Sequence, residues 1–143
     1  MNRSSLGIAE DNPPNQTLSG IFRIENHDEA LRVWRNSGRM QRILVHVDAH
    51  HDLWWVPHGK PVTIANFISP ALRDGVVREI HWVVPDRSWD SAENRRQILR
   101  HLYRIQENVP GRPEFYEIQH DRISTTLLGK PLHISSVEGL PKF

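Results

Sequence analysis

The sequence contains no cysteine, and this absence excludes disulfide bonds, thiolate metal sites and cysteine nucleophiles. It also fits a cytoplasmic protein, which is the compartment we expect. An excess of charge of one sign is lacking as well, since 18 basic and 17 acidic residues give a formal net charge of +1. Such a balance provides no electrostatic footprint for nucleic acid or for an anionic membrane, so we expect neither as a partner.

A long hydrophobic run is missing from the beginning of the chain. Residues 1–18 are polar and include Pro13 and Pro14, so they match neither a signal peptide nor a membrane anchor. We predict that they form a flexible N-terminal arm. Residues 19–143 have the length and the hydrophobic content of a single globular domain, in which no repeat or low-complexity tract interrupts the pattern.

Short apolar segments alternate with helical patterns along this domain. Strands are predicted at 20–24, 43–47, 76–84, 115–118 and 131–137. Helices are predicted from Asn26 or Asp28 to about residue 35, over 63–73 with a kink or split at Pro70, and from Asp90 or Ser91 to about residue 107. This alternation predicts an α/β fold, a three-layer sandwich with a mostly parallel sheet. Functional groups in such sheets gather beyond the carboxyl ends of the strands.

Potential metal ligands follow directly after the predicted strand at 43–47. Asp48, His50 and Asp52 lie within five residues, and a buried strand that ends in this way needs a cation to offset its carboxylates. Imidazole and carboxylate ligands without a thiolate favour Mn, Fe or Zn. Asp48 could bridge two ions through its two oxygens, and water held between them would be hydroxide at neutral pH. The alternative is an exposed turn of acidic residues and histidines that binds no ion.

This cluster and its neighbours also resemble a known family. Asp48-Ala49-His50-His51-Asp52 is similar to the Asp-Ala-His-x-Asp motif of the arginase/deacetylase superfamily in its ureohydrolase form. The wider set resembles a divergent branch that includes the peptide arginases, which convert arginine side chains of precursor peptides to ornithine. Its members here are Glu25-Asn26-His27-Asp28-Glu29-Ala30-Leu31 with Trp34, His46-Val47-Asp48-Ala49-His50-His51-Asp52-Leu53, Asn66-Phe67-Ile68 and His81-Trp82-Val83-Val84-Pro85-Asp86.

The resemblance implies an arginase-like hydrolase that acts on a C–N bond of a linear amidine and holds two Mn²⁺ ions, with Zn²⁺ or Fe²⁺ as alternatives. Asp48 would bridge the ions, His50 would bind one of them, and Asp52 would bind the other together with His27. The metal-bridging hydroxide would attack the guanidinium carbon of arginine, free or within a peptide, and urea would leave. Asp52 could also pass on a proton, and His51 is either a proton shuttle or a surface residue.

Two further residues have open roles, and several histidines have none. Asn66 is either a substrate contact or a helix cap, and Asp86 is either an extra ligand or a cap of the long helix. His46 lies on the strand face that Asp48 shares, and we interpret it as a core histidine or as a partner of a ligand. No role is assigned to His58, His101, His120 or His133.

One part of the superfamily pattern is missing. No Asp-x-Asp follows Asp52, and the chain looks shortened at its C-terminus relative to the family. Either the chain is a fragment, or other carboxylates replace the pair, or the site has decayed to a weak metal or none. The candidate replacements are Asp86, Asp90, Asp121 and Glu138.

Because the source of the missing ligands is open, two alternatives to a manganese-dependent ureohydrolase remain. One is a single-metal amide hydrolase of the deacetylase kind that uses Asp48 and His50. The other is a non-catalytic metal-binding or interaction module with an incomplete site. For the leading interpretation, the expected partner is an arginine-containing small molecule or peptide, and a homo-oligomer stays open.

Overall fold

The computed structural model describes residues 21–85, 87–106, 117–118 and 121–143. In chain order the elements are α1 (Glu29–Asn36), β1 (Arg42–Val47), α2 (Ile68–Arg73), β2 (Val77–Val83), α3 (Ala92–Gln106), β3 (Glu117–Ile118), β4 (Arg122–Leu127) and β5 (Lys130–Ser135). Short 3₁₀ turns lie at Arg87–Trp89 and Val137–Gly139. In this part of the chain, no helix combines the length and the apolar character that crossing a bilayer requires.

The five strands form one open sheet in the order β1-β2-β5-β4-β3. Strands β1 and β2 pair in parallel, as do β2 and β5, whereas β5, β4 and β3 pair in antiparallel fashion. The predicted α/β class is therefore confirmed, and the predicted parallel character of the sheet holds for β1, β2 and β5, which match the predicted strands at 43–47, 76–84 and 131–137. The model adds β4, which the sequence pattern did not predict.

Two predicted elements differ from the structure at their beginnings. Residues 21–24 of the first predicted strand form no strand, so that prediction was wrong for the described residues. The predicted helix at 63–73 begins only at Ile68, after a turn at 64–67. Pro70 consequently lies in the first turn of α2, where its missing N–H has no intrahelical acceptor to lose. The predicted cap of the long helix is confirmed, since the Ser91 hydroxyl accepts the Asn94 N–H at 3.0 Å.

The two faces of the sheet differ in character. One face carries apolar side chains that belong to a core shared with buried residues of all three helices. Strand alternation and register place on it Leu44, His46, Ile80, Trp82, Ile123, Leu127, Leu132 and Ile134. The opposite face exposes Ile43, Val45 and Val47 of β1 and carries polar side chains on β2 and β5. We call these two surfaces the core face and the open face.

Helix α2 fixes the segment that follows β1. The buried Ser69 hydroxyl lies 3.1 Å from the Leu53 carbonyl oxygen and 2.8 Å from that of Trp54. The Arg73 guanidinium donates to the Val56 carbonyl oxygen at 2.6 Å. These contacts hold residues 53–56 against the core, so the preceding turn has a defined position.

Ser69→Ala should lower the free energy of unfolding by about 1–3 kcal/mol, because it leaves buried carbonyl groups without their donor. Urea denaturation followed by circular dichroism measures this value. The matched control is Ser37→Ala, which removes an exposed hydroxyl bonded to the Trp34 carbonyl and should change stability by less than about 0.5 kcal/mol. Equal effects of the two variants would contradict the anchoring role of Ser69.

Candidate metal centre

The backbone of Asp48 is fixed where β1 ends. Its N–H donates to the Val83 carbonyl oxygen at 3.1 Å, which extends the ladder with β2. Its own carbonyl accepts the indole N–H of Trp82 at 2.7 Å. The side-chain Oδ1 accepts the backbone N–H of His50 at 2.9 Å, a local turn that aspartate forms readily. Three hydrogen bonds thus determine the position of the Asp48 carboxylate.

The chain then turns so that a second carboxylate comes back towards the first. Asp52 has φ of +57°, a left-handed conformation that residues with a Cβ adopt rarely and that clusters at functional sites. The Leu53 N–H donates to Nδ1 of His51 at 2.8 Å and supports this turn. As a result the Asp52 side chain is buried, with only 5% of its surface exposed.

His27 completes a group of three potential ligands. Its Nδ1 lies 3.5 Å from Oδ2 of Asp48 and 3.7 Å from Oδ2 of Asp52. One ligand atom of each residue lies within 4.8 Å of the other two. The His27 ring packs against Phe67 with ring centroids 5.5 Å apart, and this contact limits its rotation. The fold therefore brings together His27, Asp48 and Asp52, which lie on two separate segments of the sequence.

His46 lies beside the cluster but does not donate a hydrogen bond to Oδ2 of Asp52. Its Nε2 lies 3.0 Å from the His50 carbonyl oxygen, which can only accept, so Nε2 carries a hydrogen that points there. The same Nε2 lies 3.2 Å from Oδ2 of Asp52 without bonding to it. That buried oxygen has no hydrogen-bond partner among the described residues. A buried carboxylate oxygen in this state is costly and marks a place where a cation would be stabilised.

The pKa values of Asp48 and Asp52 shift in opposite directions from those of ordinary aspartates. Burial raises the pKa of Asp52 by more than the imidazoles of His46 and His27 lower it, and the nearby charge of Asp48 adds a smaller upward shift. Burial also raises the pKa of Asp48, but the N–H of His50 and the surrounding imidazoles outweigh it, so the net shift is downward. One site thus holds an ionised carboxylate beside a carboxyl group that retains its proton more easily.

The second oxygen of Asp48 faces a different histidine. Nδ1 of His50 lies 3.5 Å from Oδ1 of Asp48, and the His50 side chain is 83% exposed. Oδ2 of Asp48, in contrast, faces His27. The predicted ligand His50 is therefore beside Asp48 but does not belong to the group of His27, Asp48 and Asp52.

A cleft of about 640 Å³ opens beside the cluster. His27 and Asp52 line one part of it, and α3 contributes a stripe of Asn94, Gln97, Ile98 and His101 at helical spacing. The other lining residues are Ala49, His50, His51, Trp54, Ile64, Ala65, Trp82 and Ser88. The α3 stripe is a feature that the sequence analysis missed, although its spacing was visible in the predicted helix.

His51 is engaged at both ring nitrogens. Its Nδ1 accepts the Leu53 N–H, and its Nε2 lies 2.9 Å from Nε2 of His101, a residue to which the sequence assigned no role. Burial and the neighbouring His101 lower the pKa of His51 to about 3. His51 is thus a hydrogen-bonded histidine in the wall of the cleft, and its low pKa favours the neutral form at pH 7.

The remaining candidates lie away from the cluster or outside the description. Oδ1 of Asn66 accepts the Thr63 N–H at 2.8 Å, within the turn before α2, and Asn66 does not line the cleft. Asp86 lies outside the described residues. Asp90, Asp121 and Glu138 are exposed and do not belong to the group of His27, Asp48 and Asp52.

Comparisons of the chain with protein-family models, with curated proteins and with solved structures found no match. The site is therefore interpreted from its own geometry together with the sequence motifs described above.

The burial of His51 generates a pH-dependent stability. Its pKa is about 3 in the folded chain, against 6.5 for an ordinary histidine, so the unfolded chain takes up the proton first as the pH falls. The contribution of neutral His51 is complete above about pH 6.5 and is lost below it, by about 2 kcal/mol at pH 5. His51→Gln should therefore lose less stability between pH 7 and pH 5 than the wild type.

Urea denaturation at both pH values, in the presence of a chelator, gives the required free energies of unfolding. His58→Gln serves as the control, because His58 is exposed and its variant should keep the wild-type pH dependence. An unchanged pH dependence in His51→Gln would contradict the lowered pKa of His51 in the folded chain.

Proposed function

We propose that this chain is a manganese-dependent hydrolase of arginase type that converts arginine, free or within a peptide, to ornithine and urea. The observation that carries the proposal is the buried, unpartnered Oδ2 of Asp52 beside Asp48 and His27. We further propose a three-layer arginase-like architecture for the complete fold and a cytoplasmic location. Both rest on the sequence motifs and composition.

The residues fit a divalent cation. Oxygen and nitrogen ligands at about 2.1 Å from one ion lie about 3.0–3.5 Å apart, depending on geometry. The distances of 3.5 and 3.7 Å from Nδ1 of His27 to the two carboxylates come close to this spacing. Two carboxylates and one imidazole, without thiolate, match the preference of Mn²⁺, Fe²⁺ or Zn²⁺. The resemblance to ureohydrolases favours Mn²⁺ among them.

The orientation of the Asp48 carboxylate is compatible with a second bound ion. Its Oδ2 faces His27 and Asp52, whereas its Oδ1 faces His50. A carboxylate arranged in this way can contribute one oxygen to each of two cations. His50 and Asp48 are the two described ligands of this outer position, so we expect it to bind more weakly than the inner one.

The cleft has the chemistry to receive a guanidinium group. Asp48, which lies beside the lining residues His27 and His50, would provide negative charge, and Trp54 and Trp82 line the cleft with aromatic surfaces on which a planar cation can stack. The cations would activate a water molecule at neutral pH. Hydrolysis breaks the bond between the guanidinium carbon and the side-chain nitrogen, and that nitrogen must take up a proton as it leaves. Asp52, which could take up a proton from the activated water and pass it on, would supply this proton.

A single-metal amide hydrolase of the deacetylase kind is the second candidate. It would use Asp48 and His50, whose Oδ1 and Nδ1 atoms lie 3.5 Å apart, and His50 lines the cleft. The buried position of Asp52 in the inner group favours the ureohydrolase, since the deacetylase-type site has no use for this extra carboxylate. A non-catalytic metal-binding module would share the ligands and differ only in lacking turnover.

The chelator-treated chain should bind about two Mn²⁺ per molecule and, once loaded, should release urea from arginine or from an arginine-containing peptide. Asp48→Asn should abolish urea release and weaken Mn²⁺ binding by more than about 100-fold, because it removes a direct ligand. Isothermal titration gives the binding constants, and a colorimetric urea assay gives the turnover.

Asp90→Asn is the matched control, since Asp90 is exposed and pairs with Arg87 instead of with the cluster. It should keep both properties. Release of acetate from acetyl-lysine without release of urea would favour the deacetylase alternative. Mn²⁺ binding without release of either product would favour the non-catalytic module, and urea release by Asp48→Asn would place the chemistry elsewhere.

A further inference from the structure

We propose that Glu79, His81 and His133 form a second, separate site for a divalent transition-metal ion such as Zn²⁺, on the open face of the sheet. This site lies on the side of β2 opposite to the core face and shares no residue with the first cluster. The inference does not depend on the proposed hydrolase activity. It rests on strand register, on the distances between ligand atoms and on one buried nitrogen without a partner.

Strand register brings the three side chains together. His81 of β2 and His133 of β5 are direct partners in the parallel pair. Glu79 precedes His81 by two residues, and alternation therefore places it on the same face. The two imidazole rings stack with centroids 4.8 Å apart and an interplanar angle of 27°. The backbone thus presents two imidazoles and one carboxylate to a common point.

The distances between the ligand atoms fit a bound ion. Oε2 of Glu79 lies 3.4 Å from Nε2 of His133 and 3.6 Å from Nε2 of His81. Ligands at about 2.1 Å around a tetrahedral zinc ion are separated by about 3.4 Å. One ligand atom of each of the three residues lies within 4.8 Å of the other two. Little rearrangement is therefore needed for one ion to contact all three.

His81 supplies an independent indication of a ligand. Its side chain is buried, with 4% of its surface exposed, and its Nε2 has no hydrogen-bond partner among the described residues. Burial lowers the pKa of His81, and the nearby His133 and Arg122 lower it further, against the opposing effect of Glu79. A neutral imidazole carries a lone pair on one of its two ring nitrogens. A metal ion would satisfy the buried nitrogen that the protein leaves unpaired.

His133 is held in position by a neighbouring strand. Its Nδ1 lies 2.9 Å from the hydroxyl oxygen of Ser124 on β4. When Nδ1–H donates to this oxygen, Nε2 keeps the lone pair that faces Glu79, as in metal sites where a partner fixes the ring of a ligating histidine. Phe143 packs edge-on against His81 at 5.0 Å and covers part of the site.

The ligand set indicates the class of ion and a role for it. Two imidazoles and one carboxylate suit Zn²⁺ and its neighbours Co²⁺ and Ni²⁺, whereas Mg²⁺ and Ca²⁺ prefer oxygen. Three protein ligands leave a fourth position for water. Because the ligands come from adjacent strands, the ion would connect β2 to β5 and stabilise the parallel centre of the sheet.

The test uses Zn²⁺ alone, added to the chelator-treated full chain in the Asp48→Asn/Asp52→Asn background, in which the first cluster is disabled. Isothermal titration and native mass spectrometry should show one bound Zn²⁺. In that background, Glu79→Gln and His133→Gln should each weaken binding by at least about 100-fold. Ser124→Ala should weaken it by about 10-fold, because it frees the ring of a ligand without removing one.

Glu138→Gln and His58→Gln repeat the same chemical changes at exposed positions outside both clusters and should leave Zn²⁺ affinity unchanged. Thermal unfolding by circular dichroism identifies any variant that fails to fold. Glu79→Gln, which changes a partly exposed side chain, then decides the outcome if His133→Gln is unstable. Absence of Zn²⁺ binding in the folded background, or the same affinity in folded Glu79→Gln as in the background, would overturn the proposal.

Discussion

The burial of one carboxyl group, Asp52, near a second one, Asp48, beyond the end of β1 is the constraint on which the candidate site depends. Asp48 and Asp52 both face His27, and Oδ2 of Asp52 is buried without a hydrogen bond. Imidazoles reduce the cost of this arrangement but do not remove it, because the Nε2 hydrogen of His46 points to a carbonyl group. Hydrogen bonds of the Asp48 backbone to Trp82 and Val83, and the anchored residues 53–56 that follow Asp52, hold the carboxylates in this position. This preorganisation is what a metal site requires and what a solvated acidic turn would not need.

The local part of this site could be predicted from the sequence. Asp48, His50 and Asp52 follow an apolar strand directly. Because they are so close in sequence, they lie near one another beyond the end of that strand whatever its exact conformation. His27 was reached only through a resemblance, since nothing in its own neighbourhood identifies a ligand. The left-handed backbone of Asp52 could not be predicted at all, because glycine is the usual residue at positive φ and no glycine stands there. That turn decides which carboxylate becomes buried.

The parts that escaped prediction depend on pairing between distant segments. Strand β4 joins β5 through Leu128 and Gly129, both at positive φ, and leucine is an unusual residue in such a turn. Because β4 was not predicted, Ser124 could not be recognised as the hydrogen-bond partner of His133. The Glu79, His81 and His133 cluster likewise needs the register of β2 against β5, which no local pattern contains. The sequence shows His81 only as a polar residue within an apolar strand.

Both clusters depend on β2, the strand between β1 and β5. On the core face, Trp82 donates its indole N–H to the Asp48 carbonyl and lines the cleft. On the open face, the adjacent His81 stacks on His133. Consecutive residues of one strand therefore serve opposite surfaces, and alternation keeps the two sites apart while one backbone positions both. A shift of β2 by one residue would exchange the faces of these side chains and abolish both arrangements together. The polar contacts of Trp82 and His81 therefore require the same register of β2 as the apolar core does.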